Sequence, residues 1–580
     1  MNYNKNYPIY KTTFIDDMRS LVEEAAQNFP DSIAISYKDN YWDKEVKKVK
    51  FPQWRDDVRN LGTSLVSHGL REEKVAIVGE NSYGWCCSFF AVMAIGAVTV
   101  PVDKELPLED IDGIITATSC KAVIYGKASE SKIKQILQNG GLGTVEMLVS
   151  VTEENTLDAS YLGSRSVYSL AQLQAAGEKL FKEGDNSYYD YKIDVNKLAS
   201  IVFTSGTTGK GKGVMLSQAN IGLDMTLGMY NFDITRKTLH VLPPHHTFGS
   251  TVNYVGHLSQ GCEVYISSGI KHVSDEIKQQ QPTHLILVPA FLEVMNRKIW
   301  ATARKEGKEG LLKAMMKVSD FLRKFGIDVR RKLFASVLSA FGGKLEMVIC
   351  GGAKLDEEII RTFDSIGITV LNGYGITECA PLISANRNKY RKPGSVGTPI
   401  LACRVKIDNP DENGEGEICV KGPNVMLGYY NNPEATAEVF DKDGFFHTGD
   451  YGKLDEEGWI YITGRKKNLI ILSNGKNVYP EEIEADLQKV EGVCEVVVYA
   501  GESRVQKDKI TIVAEIFPDA ELLADKGISN LQEYFETQVK ELNAKMPPYK
   551  AVKRVKLRDV EFQKNTSRKI TRFSIDKTID

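Results

Sequence analysis

Residues 203–214 read FTSGTTGKGKGV and lie between two apolar runs, 198–203 and 214–216. Thr204 with Ser205 and Thr207 with Thr208 supply hydroxyl pairs among four glycines (Gly206, Gly209, Gly211, Gly213) and two lysines (Lys210, Lys212). Gly/Ser/Thr runs are often solvated linkers, but a linker has no reason to be held between buried segments. The pattern predicts a strand running into a phosphate loop. Glycines let backbone N–H groups approach a phosphate, hydroxyls donate further hydrogen bonds, and lysine supplies charge. The Walker A spacing is met by Gly206, Gly211 and Lys212, yet Gly213 stands where that motif needs a Mg²⁺-binding Ser or Thr.

At 580 residues the chain has room for about three or four compact units. Lys+Arg of 73 against Asp+Glu of 76 leaves a formal charge of −3, so no global field favours nucleic acid. Nine cysteines are scattered singly except for Cys86 and Cys87, with no CxxC spacing, which suits a reducing cytoplasm. The N-terminal stretch lacks the apolar core of a signal peptide. The longest apolar run, 85–102, is broken by Ser88, Gly96, Thr99 and Pro101, and reads as a buried helix (83–95) and strand (97–102) rather than a membrane span.

Helix-like and strand-like pieces alternate: a helix over 51–68, a strand over 75–78, a helix over 111–119, a strand over 122–125. That alternation predicts an α/β protein with parallel sheets and packed helices. Strands at 239–242, 284–288 and 345–350 follow, and residues 296–344 read as a basic, amphipathic surface insertion. The first of these strands ends in Pro243-Pro244-His245-His246-Thr247-Phe248-Gly249, expected to line a pocket, because functional residues in open α/β sheets gather beyond strand C-termini. Gly351-Gly352-Ala353 leaves room for a flat ligand. The run 372–378 (NGYGITE) ends on Glu378, a candidate Mg²⁺ ligand. After a third dense patch at 447–484 the character changes to a small α+β unit. Its tail, 540–580, holds 12 Lys/Arg against 5 Asp/Glu, which fits either a solvated surface or a partner carrying phosphates.

TSGTTGKGKG, YGITE, HTGD, GRKKN and NTSRKITR occur in that order. Together they resemble the adenylate-forming superfamily of acyl-CoA synthetases, peptide-synthetase adenylation domains and luciferases, over about residues 25–572. The helical insertion and the ending look most like long-chain fatty acid CoA ligases. The resemblance implies a large adenylation domain, 1–466, and a small mobile α+β domain, 467–580. It also implies ATP, Mg²⁺ and coenzyme A, with a medium- to long-chain fatty acid activated through an acyl-adenylate. Thr204, Ser205, Gly206, Thr207, Thr208, Gly209 and Lys212 would hold the β- and γ-phosphates, Thr377 the α-phosphate, and Glu378 with Thr207 the metal. Gly351, Gly352, Ala353, Asn372, Gly373 and Tyr374 would sandwich adenine, and Asp450 and Arg465 would take the ribose. Lys569 would bridge carboxylate and α-phosphate. The small domain would turn about Lys467 and present Ser473, Asn474 and Gly475 to CoA. His246 completes the catalytic set at the mouth of the acyl pocket, beside Phe248.

Two positions depart from the family pattern: Gly211 replaces the usual proline, and Ser567-Arg568-Lys569 replaces Ser-Gly-Lys. Phe248-Gly249-Ser250-Thr251 lacks the aspartate of amino-acid-activating relatives, which disfavours an amino acid substrate. An acyl carrier protein as acceptor, an acyl-AMP ligase and a non-catalytic nucleotide-binding relative are the alternatives. The remaining expectations are no nucleic acid partner and at most peripheral membrane contact.

Overall fold

The computed structural model describes residues 10–152, 157, 159–204, 211–234, 236–472, 476–502, 510–564 and 570–579. It is an α/β structure in two compact units, Met1–Arg404 with Lys421–Phe440, and Val405–Val420 with Asp441–Asp580.

Among the described residues the first unit is built on two large sheets. One has eight strands, in the order Gly428–Tyr429, Lys212–Ser217, Leu198–Thr204, Val98–Val102, Lys74–Val78, Ala122–Tyr125, Met147–Ser150 and Ser166–Ser169. From Leu198–Thr204 onward all pairings are parallel, while Lys212–Ser217 folds back antiparallel on Leu198–Thr204. Ala122–Tyr125 and Val98–Val102 are buried at every position, the signature of parallel strands covered on both faces. The helix Phe51–Ser67 opens with proline in its first turn and buries Phe51, Trp54, Val58, Leu61 and Leu65 at helical spacing. Tyr83–Ala94, capped by Ser82 accepting from the Trp85 N–H, is buried from Gly84 to Ala94. The apolar run 85–102 is thus an interior helix and strand. No helix among the described residues is long and apolar enough to cross a membrane.

The second sheet has nine strands; its centre (Thr369–Gly375, Met347–Cys350, His284–Leu287, Lys237–His240, Glu263–Ile266, Ile33–Tyr37) is parallel, with antiparallel edges. The strand expected at 239–242 is Lys237–His240, two residues earlier, because ladder pairing places Thr238 and Leu239 opposite His284 and Leu285. Val241 and Leu242 already belong to the loop that enters Pro243. After that loop comes a π-helix, Phe248–Gly256, that sequence spacing did not reveal. Residues 296–344 are several helices, and they do more than cover a surface. Leu312, Phe334, Leu338 and Phe341 join Leu239, Leu285 and Phe363 in one core cluster.

The second unit carries a four-stranded sheet (Arg404–Asp408, Gly416–Lys421, Phe446–Leu454, Ile460–Arg465) and a three-stranded sheet (Val493–Gly501, Thr511–Pro518, Arg554–Leu557) packed by Pro480–Leu487 and Leu531–Asn543. Lys467, the expected pivot, lies inside this unit. Part of the basic tail is spent internally. Lys550 pairs with Glu482 at 2.6 Å, Arg558 with Glu515 at 3.0 Å, Lys564 with Glu561 at 2.7 Å, and Arg572 with Glu484.

Burial pushes His240 and His245 down to about 3 and His257 to about 4. The native first unit therefore binds fewer protons than the unfolded chain between pH 6.5 and 4, and stability is lost as pH falls through that window. Each histidine contributes up to about 1.4 kcal/mol per pH unit. Urea midpoints measured from pH 7.5 to 5 should fall steadily below pH 6.5, before most carboxylates titrate; a flat profile would contradict the buried neutral state.

Candidate active site

The antiparallel pairing of Leu198–Thr204 with Lys212–Ser217 puts Thr204 opposite Lys212, at the two ends of the glycine-rich loop. Ser205, Gly206, Thr207, Thr208 and Gly209 lie outside the described residues. Next to this hairpin the short strand Gly428–Tyr429 pairs with Met215 and Val214. Tyr429 so placed touches two of the expected residues. The Lys212 ammonium stands 4.7 Å from its ring centroid, and its hydroxyl donates to Glu378 Oε1 at 3.0 Å. Burial and the adjacent Glu378 carboxylate raise the phenol, so it stays a donor. The Met426 N–H donates to the Glu378 carbonyl at 2.8 Å, and Asn220 Nδ2 donates to the carbonyls of Pro423 and Val425 at 2.7 and 3.0 Å. The segment bearing Tyr429 is thus pinned at several points. Sequence reasoning missed Tyr429; it sits 51 residues from Glu378, in a Tyr-Tyr pair that spacing alone does not mark.

Glu378 and Thr377 occupy a single turn, Thr377–Cys379, directly after the strand Thr369–Gly375. In the neighbouring strand Cys350 is in register with Asn372, which sets Gly351 and Gly373 side by side. A side chain at Gly351 would stand 3.4 Å from both the Gly373 carbonyl and Phe248 Cζ, so the two glycines leave their backbone bare beside the Phe248 ring. Gly352 has φ +89°, which favours glycine, and Ala353 is exposed beside it. Tyr374 is buried. Asn372 is also buried, and its Oδ1 has no hydrogen-bond partner among the described residues. A buried amide acceptor left unpaired beside exposed backbone is what a base edge could satisfy. His246 is half-buried, its ring centroid 4.3 Å from that of His245.

In the second unit Asp450 and Arg465 are cross-strand partners, with Arg465 Nε 2.7 Å from Asp450 Oδ1. Glu417 anchors the turns that carry them. Its carboxylate accepts from the Gly449 N–H at 3.2 Å and lies 3.0 Å from His447 Nδ1 and 2.7 Å from Lys466 Nζ. Burial alone would raise this carboxyl, but Lys466 and His447 hold it below its ordinary value. Asp408 joins the cluster, its ligand oxygen within 4.8 Å of those of Glu417 and His447. With Lys466 on Glu417, the group is an ion-pair network that braces the Asp450 turn. Lys467 is exposed; Ser473, Asn474, Gly475 and Lys569 lie outside the described residues.

The family model described as AMP-binding enzyme matches residues 22–430. The chain belongs to this family. Among curated relatives, the guinea pig (Cavia porcellus) long-chain-fatty-acid–CoA ligase 1 is 29% identical over 508 residues, covering 83% of this chain and 71% of the relative. A chloroplastic long-chain-fatty-acid–acyl-carrier-protein ligase of Arabidopsis thaliana is 27% identical over 567 residues, covering 86% and 75%. The solved anthranilate CoA ligase AuaEII in complex with anthranoyl-AMP superposes with a TM-score of 0.73 at 19% identity, covering 99% of this chain and 98% of that one. That likeness shows the fold.

Strand pairing and the Tyr429–Glu378 hydrogen bond explain where Glu378, Tyr429 and Lys212 meet, and the glycine at 211 has a local reason as well. A Cβ there would stand 2.5 Å from the Thr204 carbonyl oxygen, a backbone atom with little room to yield. Gly211→Ala should therefore cost about 1–3 kcal/mol, seen as a lower urea midpoint. An unchanged midpoint would mean that the hairpin mouth tolerates a side chain at this position.

Proposed function

We propose that the chain is an acid–thiol ligase that activates a medium- to long-chain fatty acid with ATP and passes the acyl group to coenzyme A, releasing AMP and pyrophosphate. The observation that carries this reading is the meeting of Lys212, Tyr429 and Glu378 at the mouth of the glycine-rich hairpin. A cation and a fixed carboxylate there suit a magnesium triphosphate.

The fatty acid carboxylate oxygen attacks the α-phosphorus, the bond from that phosphorus to the β-phosphate bridging oxygen breaks, and pyrophosphate leaves with its electron pair. A thiolate then attacks the acyl carbonyl of the adenylate, forming the thioester and expelling AMP. Positioning and charge stabilisation carry most of such catalysis. Thr204 to Gly209 and Lys212 hold the β- and γ-phosphates, and Thr377 the α-phosphate. Glu378, with Thr207, is the proposed Mg²⁺ ligand. Tyr429 fixes its Oε1, and its Oε2 has no hydrogen bond or ion pair among the described residues, which suits an ion that takes few protein carboxylates. When bound, Mg²⁺ neutralises triphosphate charge.

Gly351 to Ala353, Asn372, Gly373 and Tyr374 receive the base, with Asn372 Oδ1 as its hydrogen-bond acceptor. Asp450 and Arg465 are assigned the ribose hydroxyls, and Lys569 the charge that develops on the α-phosphate. Lys467 is assigned the pivot between half-reactions, Ser473, Asn474 and Gly475 the thiol substrate, and His246 the acyl entrance. The Arabidopsis relative favours a second reading, in which the acceptor thiol belongs to an acyl carrier protein.

Pyrophosphate release measured over acids from acetate to palmitate should peak at medium or long chains and rise with CoA. A rise with holo-carrier protein alone would favour the second reading, and no release with any acid would contradict both. Lys569→Ala should slow adenylate formation at least about 100-fold while sparing thioester formation from pre-made acyl-adenylate; equal loss in both steps would overturn its assignment. Tyr429→Phe should slow adenylate formation about tenfold, as one charge-assisted hydrogen bond would, without lowering the melting temperature. An unchanged rate would remove Tyr429 from the site.

A further inference from the structure

The helix Glu309–Arg323 has two apolar faces. Leu312 and Ser319 are buried on one, where Leu312 joins the core cluster of the nine-stranded sheet. Leu311, Val318 and Phe321, with Phe325 just past the helix end, lie 55–67% exposed. Their spacing of seven, three and four residues aligns them in a single stripe, about a third of a turn from the buried face. Phe321 and Phe325 pack on each other with ring centroids 5.1 Å apart. Ile327 continues the apolar surface at 51% exposure. Water-facing aromatic and aliphatic side chains concentrated in this way mark a contact surface rather than scattered surface residues.

The charges around the stripe indicate what covers it. Residues 289–325 hold nine Lys/Arg against four Asp/Glu, in a chain whose formal net charge is −3. Lys317 and Lys324 flank the stripe on the helix, and Lys298 and Lys305 lie on the preceding helix, Pro289–Lys305. None of these four makes an ion pair among the described residues, in contrast to Lys550, Lys564, Arg558 and Arg572 of the basic tail. An exposed apolar stripe edged by uncommitted lysines matches an anionic lipid surface, where aromatic side chains enter the boundary between headgroups and acyl chains and lysines meet lipid phosphates.

We propose that this helix docks the protein on anionic bilayers through Leu311, Val318, Phe321 and Phe325. The inference does not rest on the proposed activity, although a surface-docked enzyme would draw an apolar acid from the phase that stores it.

Co-sedimentation of the full chain with phosphatidylcholine vesicles containing about 30% phosphatidylglycerol, and with pure phosphatidylcholine vesicles, tests this directly. The wild type should partition at least about tenfold more strongly to the anionic vesicles, and less so as salt rises. Phe321→Ser with Phe325→Ser should weaken that binding about tenfold or more, and Lys317→Glu with Lys324→Glu should remove the preference for anionic lipid. Both double variants should melt with the wild type, since the replaced side chains are exposed. Absence of wild-type binding, or Ser variants that bind as the wild type does, would overturn the proposal. So would a wild-type dimer in light scattering that the Ser variants abolish, because a second copy would then cover the face.

Discussion

A glycine-rich loop can grip a triphosphate only if both of its ends are fixed. Here the fixing comes from antiparallel pairing of Leu198–Thr204 with Lys212–Ser217. The first strand is the last parallel member of a buried sheet, so its end is held by the interior rather than by the loop. The second strand is held in turn by Gly428–Tyr429, which brings a tyrosine to the same end. Backbone ladder bonds thereby set the position of Lys212, and Tyr429 transmits it to Glu378. Close backbone approach is the cost of this arrangement, and it falls on Gly211, where any side chain would press on the Thr204 carbonyl.

The half proposed to receive the base follows from the same kind of constraint in the other sheet. Parallel register between Met347–Cys350 and Thr369–Gly375 aligns two glycines, and the buried Asn372 beside them keeps an acceptor with no partner among the described residues. A protein does not usually leave such a group unpaired in its interior without a use for it. In the second unit, Glu417 plays the organising part, drawing His447, Gly449 and Lys466 together so that Asp450 and Arg465 are presented from adjacent strands.

Local physics made much of this legible in advance. Ala122–Tyr125 is apolar, β-branched at its centre and bounded by turn signals, and it folds where its sequence says. Phe51–Ser67 announces itself through its apolar spacing. The dense motifs were legible because glycine, hydroxyl and charge are seldom packed so closely without a ligand. Tyr429, Glu417 and the π-helix Phe248–Gly256 were not legible, because each derives its meaning from partners distant in sequence or from packing that no short-range period encodes. The basic tail and the basic insertion look alike in composition, and each pairs some of its cations with carboxylates, but in the insertion Lys317 and Lys324 flank exposed apolar side chains. Only coordinates separate those cases.

Attack of a carboxylate oxygen on the α-phosphorus of ATP is tested most directly by the fate of that oxygen. Palmitate labelled with oxygen-18 in both carboxylate positions, turned over with ATP, magnesium and CoA, should deliver one labelled oxygen to the phosphate of AMP. Label in inorganic phosphate, or unlabelled AMP alongside thioester formation, would contradict an acyl-adenylate.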